Sequence, residues 1–229
     1  MHDKVIMGLS GGMDSATLLG YYLDKHYEVH CCLFTYGSKH NKYENQAAEN
    51  IINYYIDEHG CSIYVHKFDL SNLFLPGASN LLKSGGEIPE GHYNDETMKL
   101  TVVPGRNMIF ISIMASLAES LGAKTIALGV HSGDHHIYPD CRPEFIHLAN
   151  LAVLSSTEGK VMISTPFLND DKAGILHRGY FDFNYKVPYN LTRTCYKDQS
   201  LSCGKCGSCR ERLEAFHNLG IDDPIEYEK

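Results

Sequence analysis

Ser10-Gly11-Gly12-Met13-Asp14-Ser15 is the stretch that decides how the chain folds. Before it, Val5, Ile6, Met7, Gly8 and Leu9 form a short apolar run, the pattern of a buried parallel strand. After it, Ala16 to His26 carries Leu18, Leu19, Tyr22 and Leu23 at helical spacing. The order is therefore strand, glycine turn, helix. Two glycines permit backbone angles that a side chain forbids, and they let amides approach an anion closely. Ser10 and Ser15 add hydroxyls, and the following helix presents unpaired N–H groups at its positive end. Together these features predict a phosphate cradle.

The usual nucleotide loops do not fit it. No lysine precedes Ser15, so the Walker pattern fails, and no third glycine completes a dinucleotide fingerprint. An acid, Asp14, stands there instead, which suits a phosphate when a magnesium ion lies between the two. The turn resembles the S-G-G-x-D-S loop of the PP-loop pyrophosphatases, which hold the β,γ-pyrophosphate of ATP while AMP is transferred. That resemblance implies a nucleotide site over Leu9, Ser10, Gly11, Gly12, Met13, Asp14, Ser15, Ala16, Thr17, Leu18 and Leu19.

A chain of 229 residues, 43% hydrophobic, can bury one α/β core and carry a small appendage. Its net charge of -8 argues against a surface that coats nucleic acid or an anionic membrane. No run reaches transmembrane length and the N-terminus enters a strand directly, so a cytoplasmic protein is expected. That compartment keeps thiols reduced, and the eight cysteines need another reason than disulfides.

Further strands are expected at Glu28 to Phe34, Ser62 to Phe68, Lys124 to Val130 and Val161 to Ser164, with helices between them. Such alternation predicts a doubly wound, parallel five-stranded sheet whose ligands bind at the carboxyl ends of the strands. By that rule Tyr36-Gly37-Ser38-Lys39-His40, after the second strand, shares a crevice with the first turn. From Leu70 to Leu100 the pattern breaks down, and a lid, an interface or partial disorder all fit so long a loop.

Val103-Pro104-Gly105-Arg106-Asn107 then leads into an apolar helix, with Asn107 as the expected N-cap. A cation at that positive end, Arg106, is disfavoured unless an anion is present, and phosphate supplies one. The run His131 to Arg142 is the densest polar stretch and reads as substrate recognition; its spacing fits no standard catalytic metal motif. Asp170-Asp171-Lys172-Ala173 opens another helix with acids in its first turn. Lys172 there is either a solvated charge or a group reaching an anion across the crevice.

Near the end, Cys203-x-x-Cys206-x-x-Cys209 converges three thiols, and Cys195 can return as a fourth ligand. Four sulfurs suit tetrahedral zinc; a redox pair does not need four, and an iron–sulfur cluster is the remaining rival. A short helix from Arg210 to Leu219 follows.

Five motifs now stand in register: Ser10–Ser15, Tyr36–His40, Val103–Asn107, Tyr138-Pro139-Asp140-Cys141-Arg142-Pro143-Glu144-Phe145, and the closing cysteines. Over nearly the whole chain they resemble the QueC family of 7-cyano-7-deazaguanine synthases. The resemblance implies an adenine nucleotide α-hydrolase-like, Rossmann-like domain over residues 1–190, and a zinc-binding segment over 191–229 packed on it. It implies a cytoplasmic ligase, a homodimer, that uses ATP, Mg2+ and Zn2+. The substrates implied are 7-carboxy-7-deazaguanine and ammonia, with no direct contact to nucleic acid or membrane. The acid is adenylated, ammonia displaces AMP to give the amide, and a second adenylation lets the amide oxygen leave as the nitrile forms. On this footing Asp14, Lys39, Arg106 and Lys172 are the catalytic candidates, and Asp134, Asp140 and Arg142 the candidates for the base and its carboxylate. Rival readings are a relative that stops at the amide or uses another amine, an RNA thiolase using Cys141, and a zinc-containing binding module.

Overall fold

A computed structural model describes residues 2–92 and 96–228. The elements alternate as expected: β1 (Lys4–Gly8), α1 (Met13–Asp24), β2 (Glu28–Thr35), α2 (Asn41–His59), β3 (Ile63–Asp69), α3 (Arg106–Leu121), β4 (Thr125–Ala127), α4 (Pro143–Ser156), β5 (Met162–Ser164), α5 (Lys172–Phe181) and α6 (Gly207–Asn218). The five strands pair in the order β3-β2-β1-β4-β5, and every pairing is parallel. Parallel neighbours need crossovers, and the helices between the strands supply them on both faces of the sheet.

Strand periodicity divides the core. Ile6 points to one face, in a cluster with Met114, Ala118 and Ile126. Val5 and Met7 point to the other, packing with Leu18, Leu19, Ile51 and Leu176. Both faces of β1 are buried, which explains its unbroken apolar run. Strand order reverses between β1 and β4. At such a switch point the two neighbouring loops diverge and leave a crevice at the carboxyl ends.

Several boundaries differ from expectation, each for a local reason. Helix α1 begins at Met13 rather than Ala16, which places Asp14 and Ser15 in its first turn. Strand β4 ends at Ala127 rather than Val130; the Leu128 N–H makes one last bond, to Ser164 O of β5 at 3.0 Å, and residues 128–130 then line the crevice. Asn107 lies inside α3, not before it: Gly105 is the cap, and the Asn107 backbone N–H donates to Asp140 Oδ2 at 3.0 Å. Asp171 is the N-cap of α5, its carboxylate accepting from the Gly174 N–H at 2.7 Å, so no acid lies within the first turn. Helix α6 starts at Gly207, ahead of the expected Arg210, with Cys206 as its cap. The described part of the 70–100 stretch is strapped down, with Leu81, Leu82 and Met98 buried and Lys39 N–H donating to Leu81 O at 2.8 Å. No helix of the described residues is long and apolar enough to cross a membrane.

One buried cation ties the C-terminal segment together. Arg212 of α6 is fully buried and forms two bonds of 2.8 Å to the Asp223 carboxylate. It also donates to Thr192 Oγ1 at 2.6 Å and to the Tyr189 carbonyl at 3.1 Å. Removing one partner of a buried, hydrogen-bonded pair strands the other. Arg212→Ala is therefore expected to destabilise the protein by about 3–5 kcal/mol. Chemical denaturation measures this, and a loss under 1 kcal/mol contradicts the assignment.

Candidate active site

The Ser10–Ser15 turn is held by its own polar groups. Ser10 Oγ lies 3.1 Å from Ser15 Oγ, the Gly12 N–H donates to Ser10 Oγ at 3.2 Å, and the Ser15 hydroxyl donates to Gly12 O at 3.1 Å. Gly11 sits at φ +80°, and a Cβ there would lie 2.6 Å from the Glu44 carbonyl and 2.8 Å from Ala48 N. Only glycine meets both demands. Across the turn, Gly11 O accepts the Arg193 N–H at 2.8 Å, tying the loop to the C-terminal segment. The Arg193 guanidinium in turn donates to the carbonyls of Ser200, Lys197 and Gln199 at 2.7, 3.0 and 2.6 Å.

Beside the turn opens a cavity of about 240 Å³, lined by Leu9, Ser10, Gly12, Met13, Asp14 and Ser15 on one side. Leu128, Gly129 and Val130 line it from the end of β4, and Tyr36, His40 and Glu44 from the end of β2 and the start of α2. Arg106 and Lys172 also reach it, with Asp134, Tyr138, Arg193 and Tyr196. The positive ends of α1 and α3 both meet this space, which makes it a site for anions.

At its floor lies a charge cluster. The Lys172 ammonium is 2.7 Å from Asp14 Oδ2 and 3.2 Å from Glu211 Oε2. Burial opposes that charge, but Asp14, Glu211 and Asp134 outweigh it and hold the ammonium protonated above its ordinary range. Burial likewise opposes the Asp14 carboxylate, while Lys172 and His131 more than offset it, leaving its pKa below the usual value. For Glu211, burial is the larger influence and the carboxyl is pushed up. His131 is fully buried; its Nδ1 accepts the Gly133 N–H at 3.1 Å, so the ring hydrogen sits on Nε2. That Nε2 lies 3.6 Å from Asp134 Oδ2 and 3.9 Å from Asp14 Oδ2. The Asp14 Oδ1 atom is buried with no hydrogen-bond partner among the described residues, an arrangement that fits a cation placed against it.

The other sequence candidates divide. Arg106 stands at the first position of α3, its guanidinium 3.5 Å from the Tyr36 hydroxyl. Ala16, Thr17, Leu18 and Leu19 turn into the core, with Thr17 Oγ1 2.8 Å from the Tyr189 hydroxyl. Lys39 does not line the cavity; its ammonium bonds the Gly85 and Gly86 carbonyls. Asp140 is taken up by Asn107, whose amide also donates to Asp140 O at 3.0 Å. Arg142 is exposed and donates to His135 O at 2.8 Å. Cys141 lines the cavity, but burial pushes its thiol well above the ordinary value, which disfavours a thiolate carrying sulfur. Sequence reading missed Glu211, Glu44 and Arg193, and it placed His131 only within the polar run expected to recognise substrate. Glu211 comes two residues after the last clustered cysteine, and only the return of α6 beneath the crevice brings it to Lys172.

The Sγ atoms of Cys195, Cys203, Cys206 and Cys209 lie within 4.8 Å of one another, all buried. Cys203 Sγ is 3.9 Å from Cys209 Sγ. Tetrahedral zinc with Zn–S bonds of about 2.3 Å spaces its sulfurs at about 3.8 Å, so the cluster fits. Backbone N–H groups of Lys205 and Cys206 point at Cys203 Sγ at 3.4 and 3.3 Å, and that of Cys203 at Cys195 Sγ at 3.4 Å. Such donors stabilise thiolates and orient them for a metal.

Residues 4–220 match the family model described as Queuosine biosynthesis protein QueC. The chain is 45% identical over 228 residues to a 7-cyano-7-deazaguanine synthase of Pseudoalteromonas atlantica, with 100% of both chains covered. A 7-cyano-7-deazaguanine synthase of Marinomonas sp. is 44% identical over 228 residues, again with 100% of each covered. Among solved structures, an NMN synthetase from Francisella tularensis is similar over 96% of this chain and 79% of that one, at 13% identity and a TM-score of 0.48.

The charge cluster gives a pH signature. A carboxyl whose folded pKa is depressed adds stability above its unfolded value, here near 3.8, and loses it as pH falls through the folded value. In Lys172→Met, burial is left as the main influence on Asp14 and its pKa rises instead. The Tm gap between the wild type and this variant is expected to widen between about pH 4 and pH 7. A gap that stays constant with pH contradicts the coupling.

Proposed function

The chain belongs to the QueC family of queuosine biosynthesis proteins, and on that premise we propose that it is an ATP-dependent 7-cyano-7-deazaguanine synthase. The observation that carries the reading is the glycine turn beside a cavity reached by Arg106 and Lys172. A carboxylate resists ammonia because its leaving group is oxide; adenylation makes AMP the leaving group. The Gly12 amide and the Ser10 and Ser15 hydroxyls hold the β,γ-pyrophosphate and leave the α-phosphate open to the carboxylate oxygen of 7-carboxy-7-deazaguanine. Arg106 balances charge developing at the α-phosphate, and Lys172 holds Asp14 ionised and in place. The residue that would hold Mg2+ is Asp14, and the ion would neutralise phosphate charge. After ammonia gives the amide, the same apparatus activates the amide oxygen, whose departure leaves the nitrile.

Lys39, Asp140 and Arg142 keep only supporting parts in this reading, since all three are occupied outside the cavity. Zn2+ in the four-cysteine cluster is structural and orders residues 195–209 against the crevice. The net charge of -8 agrees with a small-molecule substrate and no direct nucleic-acid partner. A homodimer in the cytoplasm completes the proposal, as the family resemblance implies.

Given ATP, ammonia and 7-carboxy-7-deazaguanine, the protein is expected to form AMP and the nitrile, with two AMP per nitrile. ADP as the nucleotide product, or amide with no nitrile, overturns the reading. Arg106→Ala is expected to lower kcat by roughly 10²–10³ with nucleotide binding retained. Elemental analysis is expected to find about one zinc per chain, lost in Cys206→Ser together with much of the thermal stability. Iron in place of zinc contradicts that assignment.

A further inference from the structure

One wall of the cavity carries the hydroxyls of Tyr138 and Tyr196, backed by that of Thr101, and the phosphate chemistry uses none of them. Thr101 is fully buried and donates its hydrogen to the Met98 carbonyl at 2.6 Å. Its oxygen also lies 2.9 Å from the Tyr138 hydroxyl. Thr101 has one hydrogen and it is spent, so Tyr138 is the donor of that second bond. The Tyr138 hydroxyl is in turn 3.3 Å from that of Tyr196. With the Tyr138 hydrogen directed at Thr101, the hydrogen between the two tyrosines belongs to Tyr196. Burial pushes the Tyr138 phenol above its ordinary range, so the hydrogen stays at neutral pH.

The three hydroxyls are therefore polarised inward, from Tyr196 through Tyr138 and Thr101 to the backbone. At the outer end the Tyr196 oxygen has no hydrogen to give; the Ser208 hydroxyl beside it donates to one lone pair, and the other is left for a ligand. Tyr196 lines the cavity and follows Cys195 directly, so the sulfur cluster fixes the backbone that carries its ring. Asp140, the acid that sequence nominates for the donor edge of a base, is engaged by Asn107. An acceptor at the cavity wall has to come from elsewhere.

Resting on a deazaguanine base in this cavity, as proposed above, we propose that Tyr196 determines specificity: its oxygen accepts an N–H from the amino edge of the base. Tyr138 and Thr101 are positioning residues that keep this oxygen an acceptor. An acceptor fixed in the cavity wall discriminates, because a ligand without the matching N–H forgoes the bond and an oxo group there meets the oxygen's lone pair.

The test is calorimetric binding of three probes: 7-carboxy-7-deazaguanine, the hypoxanthine-type analogue lacking the amino group, and the xanthine-type analogue with an oxo group in its place. Wild-type protein is expected to favour the amino-bearing base by roughly tenfold or more over either analogue. Tyr196→Phe is expected to bring the three within about threefold, with the affinity for a non-hydrolysable ATP analogue unchanged. Tyr138→Phe frees the Tyr196 hydrogen to face the cavity, so this variant is expected to bind the xanthine-type analogue several-fold better than wild type does. A merely structural wall predicts no such gain. Metal content is measured in each protein, and the gain in Tyr138→Phe decides the matter if Tyr196→Phe loses its metal. Wild-type discrimination surviving in Tyr196→Phe, or no gain in Tyr138→Phe, overturns the proposal. A wild-type protein that binds the base without discrimination overturns it too and leaves the synthase reading standing. One that binds none of the probes removes both.

Discussion

The structure depends on the wedging of Gly11 between α2 and the C-terminal segment. Its left-handed backbone at φ +80° and the 2.6 Å that a Cβ would leave to Glu44 O bring the turn down onto the start of α2. Its carbonyl then takes the Arg193 N–H, so the segment carrying the four cysteines is joined to the same point. One glycine thereby sets the distance between the amides of the first turn, the start of α2 and the segment that carries the four-cysteine cluster. A larger residue would have to move backbone atoms at two positions of α2 at once.

Around that point Lys172 and Asp14 hold each other ionised against burial. Lys172 lies against Asp14 and Glu211, and His131 sets its Nε2 hydrogen toward Asp14 and Asp134. Three carboxyl groups gather about one ammonium, while Arg106 and the N-termini of α1 and α3 bring positive charge to the same cavity. On the proposed reading, a nucleotide with a divalent ion would answer both sets of charges, with Asp14 as the residue that would hold the ion. A buried charge without a partner is costly. The fold gathers these charges at the switch point: β1 and β4 diverge there, and the residues after Ala127 line the gap.

Much of this was legible in the chain. The apolar run Val5–Leu9, the glycine turn and the leucines after it give strand, loop and helix, and the alternation that follows gives a parallel sheet. The three-residue spacing of the last cysteines gives the cluster. What sequence could not supply is pairing at a distance. Lys172 looked ambiguous until α5 brought it to Asp14, and Glu211 carried no motif at all. Asp140 and Arg142 sat in the right run of residues, but one holds the start of α3 and the other faces solvent. Local spacing announces where a polar loop falls along the sheet; which of its side chains faces the ligand depends on caps and packing that are settled in three dimensions. Boundaries moved for the same reason, since β4 stops where its neighbours no longer continue the ladder.

The central claim is that the first turn holds the outer two phosphates of ATP and leaves the inner one exposed. A crystal structure of the protein with a non-hydrolysable ATP analogue tests it most directly. The β- and γ-phosphates are expected within hydrogen-bond distance of the Gly12 amide and the Ser10 and Ser15 hydroxyls, with the α-phosphate facing Arg106. Phosphates bound away from this turn, or an α-phosphate buried within it, would contradict the account.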